Sequence, residues 1–188
     1  MVEAANQLKA AIRAIPRDEF YSFEPIEVKI DTDFEKSPGF RFNEIELRGV
    51  PVRVEIGPKD LAQGACVIGR RDIPGKEGKQ MGVPLGEAPA RVDALLREIQ
   101  VALFNRAKAY RDASLHTCDS YAEFQERIEK EGGFFLCHWD GTRETEDQIS
   151  AETKATIRCI PYDRPAEPGV CMVTGKPSAG RVVLARAY

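Results

Sequence analysis

Four oppositely charged side chains lie in one short part of the chain, where they could act together on a ligand. Glu46 and Asp60 supply carboxylate acceptors, and Arg53 and Lys59 supply cationic donors. A carboxylate can accept two N–H groups side by side, while arginine and lysine donate to oxygen and ring-nitrogen acceptors. The spacing allows all four to converge on one ligand. The alternative is a solvated surface whose charges pair only with each other.

The element that must position these side chains is a short strand. Residues 52–56 alternate apolar and charged side chains, which is typical of a half-buried strand. Val52, Val54 and Ile56 are expected to face a core, and Arg53 and Glu55 to share the opposite face. Glycine and proline residues flank the strand on both sides and fix its ends.

The surrounding sequence resembles a known family. Residues 41–60 read RFNEIELRGVPVRVEIGPKD, and later motifs include His138-Trp139-Asp140-Gly141 and Thr174-Gly175-Lys176. This set is similar to the C-terminal part of prolyl-tRNA synthetase of the archaeal and eukaryotic-like type. The resemblance covers essentially the whole chain. It implies an anticodon-binding domain followed by the synthetase's C-terminal domain.

The resemblance also implies a fold and a domain organisation. The expected class is α/β, with a mixed sheet flanked by helices over residues 1–113 and a small α+β domain over residues 114–188. The family's first strand precedes its first helix, and the sequence before that helix supplies no counterpart.

The implied function is recognition of the proline tRNA anticodon, which carries guanines at its second and third positions. Guanine offers two N–H donors that a carboxylate can accept, and its O6 and N7 accept from arginine or lysine. The family's base readers correspond to Glu46, Arg53, Lys59 and Asp60. Phe42 is expected either to stack on a base or to belong to the core. The terminal Tyr188 matches a tyrosine that reaches the synthetase active site in relatives, or it is an ordinary frayed end.

The implied partners are proline tRNA and the catalytic domain of the synthetase, with no DNA and no membrane. The alternative function is a free-standing paralogue that uses the same fold for protein docking or regulation. A guanine-matched set of side chains favours tRNA recognition, because a docking module does not need it.

Composition agrees with an ordinary globular protein of the cytoplasm. Hydrophobic residues make up 43% of the chain and charged residues 30%, and the five cysteines are an odd number without close pairing. No signal peptide or long apolar run is found. Residues 1–113 carry 18 basic and 18 acidic residues, whereas residues 114–188 carry 9 and 12. RNA contact is therefore expected in the first part, through placed residues rather than bulk attraction.

No catalytic motif is recognised in the sequence. Cys137 and His138 are neighbours, and neighbours on a strand cannot form the side-by-side pair that activates a thiol. A glycine-rich phosphate loop is also absent. The resemblance places the active site of the ATP-dependent ligase, with its ATP and magnesium, in a catalytic domain outside this sequence.

Zinc is a feature of many relatives that this chain is not expected to share. Their four cysteine ligands correspond here to Asp140, Thr145, Cys159 and Thr174, so one of four remains. A structural zinc site needs four convergent ligands. A substitute set of Cys137, His138, Cys159 and Cys171 is conceivable, but adjacent strand residues point to opposite faces.

Periodicity predicts several elements around the central strand. An amphipathic helix covers residues 2–14, a strand covers 26–30, and a hairpin covers 65–85. A long helix opens at Pro89. Ser120 and Glu123 have the spacing of a capping box and predict the start of a further helix.

Overall fold

The computed structural model describes residues 1–16, 18–163 and 166–187. Contacts between residues divide the chain into two compact units, Met1–Asn105 and Arg106–Tyr188. The division falls inside one long helix. The domain boundary predicted at 113/114 coincides with the end of that helix, and it stays a prediction.

The first unit packs helices on a three-stranded antiparallel sheet with the order β1-β2-β3. In chain order its elements are α1 (Val2–Arg13), α2 (Pro38–Leu47), β1 (Val52–Glu55), α3 (Pro58–Ala62), β2 (Ala65–Arg70), β3 (Lys79–Pro84) and α4 (Ala88–Ala113), the last of which continues into the second unit.

One hydrophobic core holds the first unit together. Leu8 and Ile12 of α1, Ile68 of β2 and Leu95 of α4 are buried within it. Val52, Val54 and Ile56 pack against this core, while Arg53 hydrogen-bonds to Glu55. The predicted division of the strand into an apolar and a charged face is confirmed. The predicted hairpin over 65–85 is also confirmed, as the antiparallel pair β2–β3.

The strand predicted over residues 26–30 is wrong. These residues belong to no strand, although Ile26 and Val28 pack on the core as the alternation suggested. A strand needs a neighbour for its backbone groups, and β1 pairs with β2 alone among the described strands. The sequence pattern therefore predicts which side chains face the core, but it does not predict whether the backbone pairs with another strand.

The second unit contains a mixed four-stranded sheet with the order β4-β5-β9-β6, in which β4 and β5 run parallel. Its further elements, in chain order, are β4 (Leu115–Thr117), α5 (Tyr121–Lys130), β5 (Phe134–His138), α6 (Arg143–Thr153), β6 (Ala155–Cys159), β7 (Gly169–Val170), β8 (Pro177–Ser178) and β9 (Arg181–Arg186).

The core of the second unit lies between this sheet and helices α5 and α6. Phe124, Phe135, Ile149 and Leu184 are fully buried in it. The Ser120 side chain accepts a hydrogen bond from the Glu123 amide at the start of α5, so the predicted helix start is confirmed. The α/β fold class is confirmed as well. The mixed sheet was predicted over residues 1–113, but among the described strands the three of the first unit pair antiparallel, and parallel pairing is found between β4 and β5.

Candidate nucleic-acid interface

The first unit contains a surface hollow between α2, the paired strands β1 and β2, and the turn that joins β2 to β3. We call it the base hollow. It is lined by Gly39, Phe42, Asn43, Glu46, Arg53, Gly69, Arg70, Arg71, Ile73, Pro74, Gly75, Lys76 and Lys79.

Helix α2 supplies one wall of the base hollow. Ser37 caps its first turn by accepting from the Phe40 amide, and Pro38 follows at the first helical position. Gly49, at φ 84°, lies just beyond the last turn, in a conformation that favours glycine. Residues 39, 42, 43 and 46 have helical spacing, so they share one face and line the hollow together.

Glu46 and Arg53 meet at the base hollow. Arg53 Nη1 donates to Glu46 Oε1 at 2.7 Å, and the Glu46 side chain is 47% exposed while that of Arg53 is 14% exposed. An acceptor and a donor therefore stand side by side at the same wall. Two of the predicted base readers are brought together by α2 and β1, although seven positions separate them in the chain.

Phe42 lies under the Arg53 guanidinium, with 4.1 Å between the guanidinium carbon and the ring centroid. The Lys79 ammonium also lies over this ring at 5.4 Å. Such cation–π contacts hold a planar guanidinium against one face of the aromatic ring. Phe42 thus occupies the hollow beside Arg53, and stacking on a base stays a prediction.

The base hollow is lined by more basic than acidic side chains, although three of the basic ones are paired with carboxylates. One lining side chain is acidic, Glu46, and five are basic: Arg53, Arg70, Arg71, Lys76 and Lys79. Arg70 is held by Asp72 and Lys79 by Glu55. Arg71 and Lys76 are exposed. A concave surface of this charge attracts a phosphate backbone.

Lys59 and Asp60 do not line the base hollow. Both lie in α3, directly after β1, where Lys59 is exposed. Asp60 Oδ2 accepts a hydrogen bond from the Gly57 amide at 3.0 Å and so caps this short helix. Lys59 and Asp60 therefore do not line the same hollow as Glu46 and Arg53. Their contacts with bases stay predictions.

Sequence reasoning missed helix α2 and five polar lining residues, Asn43, Arg70, Arg71, Lys76 and Lys79. The Ser37-Pro38 pair was the available signal for the helix start, since serine caps and proline opens helices. No comparable signal marked the cations of the turn. Their place depends on how β2 pairs with β3.

In the second unit, Asp140 collects hydrogen bonds from three threonines. Its Oδ1 accepts from the Thr142 amide and hydroxyl at 3.2 and 2.9 Å, and its Oδ2 accepts from the Thr145 and Thr174 hydroxyls at 3.1 and 2.9 Å. Burial acts to raise the pKa of Asp140, but the hydrogen bonds from Thr174, Thr142 and Thr145 hold it below its ordinary value.

This arrangement does not fit a zinc site. Asp140, Thr145 and Thr174 occupy three of the four positions that the resemblance links with zinc ligands, and there they satisfy one another. Neutral threonine hydroxyls are not among the thiolate, imidazole and carboxylate groups that hold structural zinc. Cys159, at the fourth position, is exposed. Within the described residues no group of three or more His, Cys, Asp or Glu is arranged to hold a metal ion.

Cys137 and His138 are both buried, and their contacts stabilise the fold. Burial raises the pKa of the Cys137 thiol to about 12, which suppresses the reactive thiolate. His138 Nδ1 lies 3.1 Å from Ser178 Oγ, and that hydroxyl also bonds to the Gly180 backbone. These groups complete a hydrogen-bonded corner of the fold.

Tyr188 lies outside the described residues, so its predicted role at the synthetase active site stays a prediction.

No helix in the described part of the chain combines the length and the apolar character that crossing a bilayer requires.

Comparisons with known proteins match both units. The family model described as "Anticodon binding domain" matches residues 2–95, and the one described as "Prolyl-tRNA synthetase, C-terminal" matches residues 121–188. A proline–tRNA ligase of Roseiflexus castenholzii is 51% identical over 162 residues, which is 85% of this chain and 33% of that protein.

Two further relatives carry the same name. The proline–tRNA ligase of Porphyromonas gingivalis strain W83 is 48% identical over 186 residues, covering 99% of this chain and 35% of that protein. That of Bacteroides fragilis strain YCH46 is 51% identical over 167 residues, covering 87% and 33%. The chain therefore spans about a third of the length of the curated relatives that it matches.

Proposed function

Because this chain belongs to the prolyl-tRNA synthetase family, as its anticodon-binding and C-terminal domains, we infer that it recognises the anticodon of proline tRNA. The observation that carries the proposal is the Glu46–Arg53 pair, joined at 2.7 Å on the wall of the base hollow. We further infer that this part serves a catalytic domain that attaches proline to its tRNA with ATP.

The pair matches the hydrogen-bonding edge of guanine. The Glu46 carboxylate can accept the two adjacent N–H donors of the Watson–Crick edge, while Arg53 donates to O6 or N7. Adenine presents a donor where guanine presents O6, and it lacks the second N–H donor. Cytosine offers one exocyclic donor and a ring acceptor, so Glu46 would face a lone pair. The pair therefore selects guanine by leaving wrong bases with unmatched groups.

The cationic lining supports RNA as the ligand. Arg71 and Lys76 are exposed at the turn that borders the hollow, where a phosphate backbone linking two bound bases would pass. Their attraction is independent of base identity and weakens as salt is added. Base selectivity and total affinity therefore depend on different residues of the same hollow.

Other expectations belong to the same proposal. Lys59 and Asp60 would read a second guanine if the anticodon extends past β1 toward α3. The resemblance supports four further parts of the proposal. They are specificity for proline tRNA, association with the catalytic domain, location in the cytoplasm and membership of the archaeal and eukaryotic-like type. Zinc is not part of the proposal.

The test is fluorescence anisotropy with two labelled anticodon stem-loops. One carries a proline anticodon, and the other has both guanines replaced by cytosine. We expect a Kd on the order of 10–100 µM for the first. Each good base contact contributes roughly 1–3 kcal/mol, so binding to the second should be about tenfold weaker or more. The preference should persist when salt is raised moderately.

Single substitutions test whether the preference for the guanine stem-loop depends on Glu46 and Arg53. Glu46→Gln and Arg53→Met should each reduce the preference for guanine. Arg48→Met is the matched control, because Arg48 lies at the end of the same helix and pairs with Glu44 outside the hollow. Equal binding of both stem-loops that disappears with salt would overturn the proposal and favour the docking module.

A further inference from the structure

Glu55 holds two cations of the base hollow without lining it. Its Oε1 accepts from Arg53 Nε at 2.9 Å and lies 3.1 Å from Lys79 Nζ. Arg53 and Lys79 line the hollow, but Glu55 is not among its lining residues. A ligand in the hollow therefore meets the partners of Glu55 rather than Glu55 itself.

The bond to Nε fixes the orientation of the Arg53 guanidinium. An arginine fork is planar, so a hydrogen bond at Nε and the contact of its central carbon with the Phe42 ring leave Nη1 and Nη2 at defined positions. Nη1 meets Glu46, which is itself a base reader by the proposal above. Within the described part of the chain, no acceptor contacts Nη2.

The register of the sheet makes room for this arrangement. Gly69 of β2 lies opposite Arg53 of β1. A Cβ atom at position 69 would lie 3.3 Å from Arg53 Nη2, so a larger residue would press on the guanidinium. Strand register, Phe42 and Glu55 thus restrict one long side chain before any ligand arrives. Restricting a flexible side chain in advance lowers the entropy cost of binding.

We propose that Glu55 is a positioning residue for guanine recognition: it fixes the Arg53 fork so that its outer nitrogens face the base. This inference rests on the proposed function. Glu55 acts through Arg53 and makes no contact with the base. Lys79, which shares the same carboxylate oxygen, balances the charge of Glu55 without replacing its bond to Nε.

The experiment measures the preference of the full chain for the guanine stem-loop over the cytosine stem-loop. Glu55→Leu removes the acceptor at similar size and should reduce the preference about five- to tenfold. Glu55→Gln keeps an acceptor for Arg53 Nε and should retain most of the preference. Glu44→Leu is the matched control, since Glu44 also holds two cations, Lys36 and Arg48, but outside the hollow.

A double-mutant cycle separates positioning from a general structural role. In the Arg53→Met background, Glu55→Leu should cause no further change in preference, because there is no guanidinium left to orient. A further loss of similar size in that background would overturn the inference. So would an unchanged preference in Glu55→Leu alone.

A second measurement does not depend on RNA. The Arg53 Nε–H proton should exchange slowly with water in the unmodified chain, and rapidly in Glu55→Leu, when followed by nitrogen-15 NMR. Slow exchange in both would overturn the inference. If the unmodified chain shows this difference from Glu55→Leu but does not distinguish guanine from cytosine, the proposed function fails while the positioning of Arg53 stands.

Discussion

Two polar clusters, one in each unit, use hydrogen bonds in opposite ways. Arg53 is surrounded by charged and aromatic partners, Glu46, Glu55 and Phe42, at the wall of an open hollow. Asp140 is surrounded by the neutral hydroxyls of Thr142, Thr145 and Thr174. The Asp140 cluster joins positions as far apart as Asp140 and Thr174, whereas the Arg53 cluster is local in sequence and borders a space that a ligand can enter.

The two clusters differ in how much hydrogen-bonding capacity they have left for a ligand. The Asp140 carboxylate accepts two hydrogen bonds on each of its oxygens, so it has little capacity left for a ligand. The Arg53 fork still has donor capacity at Nη2, and Glu46 is nearly half exposed. A saturated polar cluster stabilises a fold, whereas an ordered but unsaturated one is prepared for recognition.

The largest effect that separates the clusters is the loss of stability in Asp140→Ala. This change leaves three hydroxyls and one amide without their acceptor, and we expect the free energy of unfolding to fall by about 1–3 kcal/mol. Trp139 is the single tryptophan of the chain and its indole donates to the Thr142 backbone, so its fluorescence reports this region during urea unfolding.

Asp147→Ala provides the control for that measurement, because Asp147 is an exposed carboxylate of α6 with one weak ion pair to Arg143. It should change the unfolding free energy by a few tenths of a kcal/mol. Stem-loop binding should be unaffected in both variants. Equal destabilisation by the two changes would show that Asp140 has no special structural role.

A smaller effect is expected from acid, which removes the Asp140 charge but not its side chain. The pKa of Asp140 in the folded chain lies below the ordinary value of 3.8. The charged form is therefore stabilised by folding, and its contribution is present above the unfolded pKa and lost as pH falls through the folded pKa. The stability difference between the unmodified chain and Asp140→Asn should shrink from pH 7 toward pH 3.

Urea unfolding of both proteins at several pH values measures this difference. Using the difference cancels the other carboxylates that titrate in the same range, such as Asp31 and Glu129. A difference that stays constant down to pH 3 would contradict the assigned role of the hydrogen bonds.

The smallest effect should be the change in stability caused by Arg53→Met. Its partner Glu46 is 47% exposed, and Glu55 keeps Lys79 as a partner when Arg53 is lost, so the change leaves no carboxylate both buried and unpaired, and partly exposed ion pairs contribute from zero to about 1 kcal/mol. We therefore expect a change below about 1 kcal/mol in urea unfolding followed by far-ultraviolet circular dichroism. A loss as large as that of Asp140→Ala would make Arg53 a structural residue and weaken the contrast between the clusters.

Much of the fold could be predicted because its signals are local. The alternation of β1, the turn between β2 and β3, and the Ser120 cap of α5 each depend on a few neighbouring residues. The strand predicted over 26–30 failed because strand formation requires a neighbour, which no local pattern contains. Helix α2 escaped notice because its residues face both a hollow and solvent, so its apolar periodicity is weak.

The site was predictable in part for the same reason. Glu46 and Arg53 lie close in the chain, and the structure brings them together as an ion pair, a contact that both the ligand-binding and the solvated-surface interpretation allow. Two other features of the site depend on strand register. One is the ion pair between Glu55 and Lys79, and the other is the room that Gly69 leaves for the Arg53 guanidinium. Register follows from the turn and from the irregularity between Cys66 and Ile68, which sequence periodicity does not determine.

The base hollow has a further consequence for the order of folding. All of its lining residues come from positions 39–79, one continuous stretch, and the strands that carry them pair with their neighbours in sequence. Contacts between nearby residues require short loop closures and form quickly. Bringing Leu8 and Ile12 into the same core as Leu95 requires closure of nearly the whole first unit. We therefore expect amides of β2 to gain protection from hydrogen exchange before those of α1 during refolding.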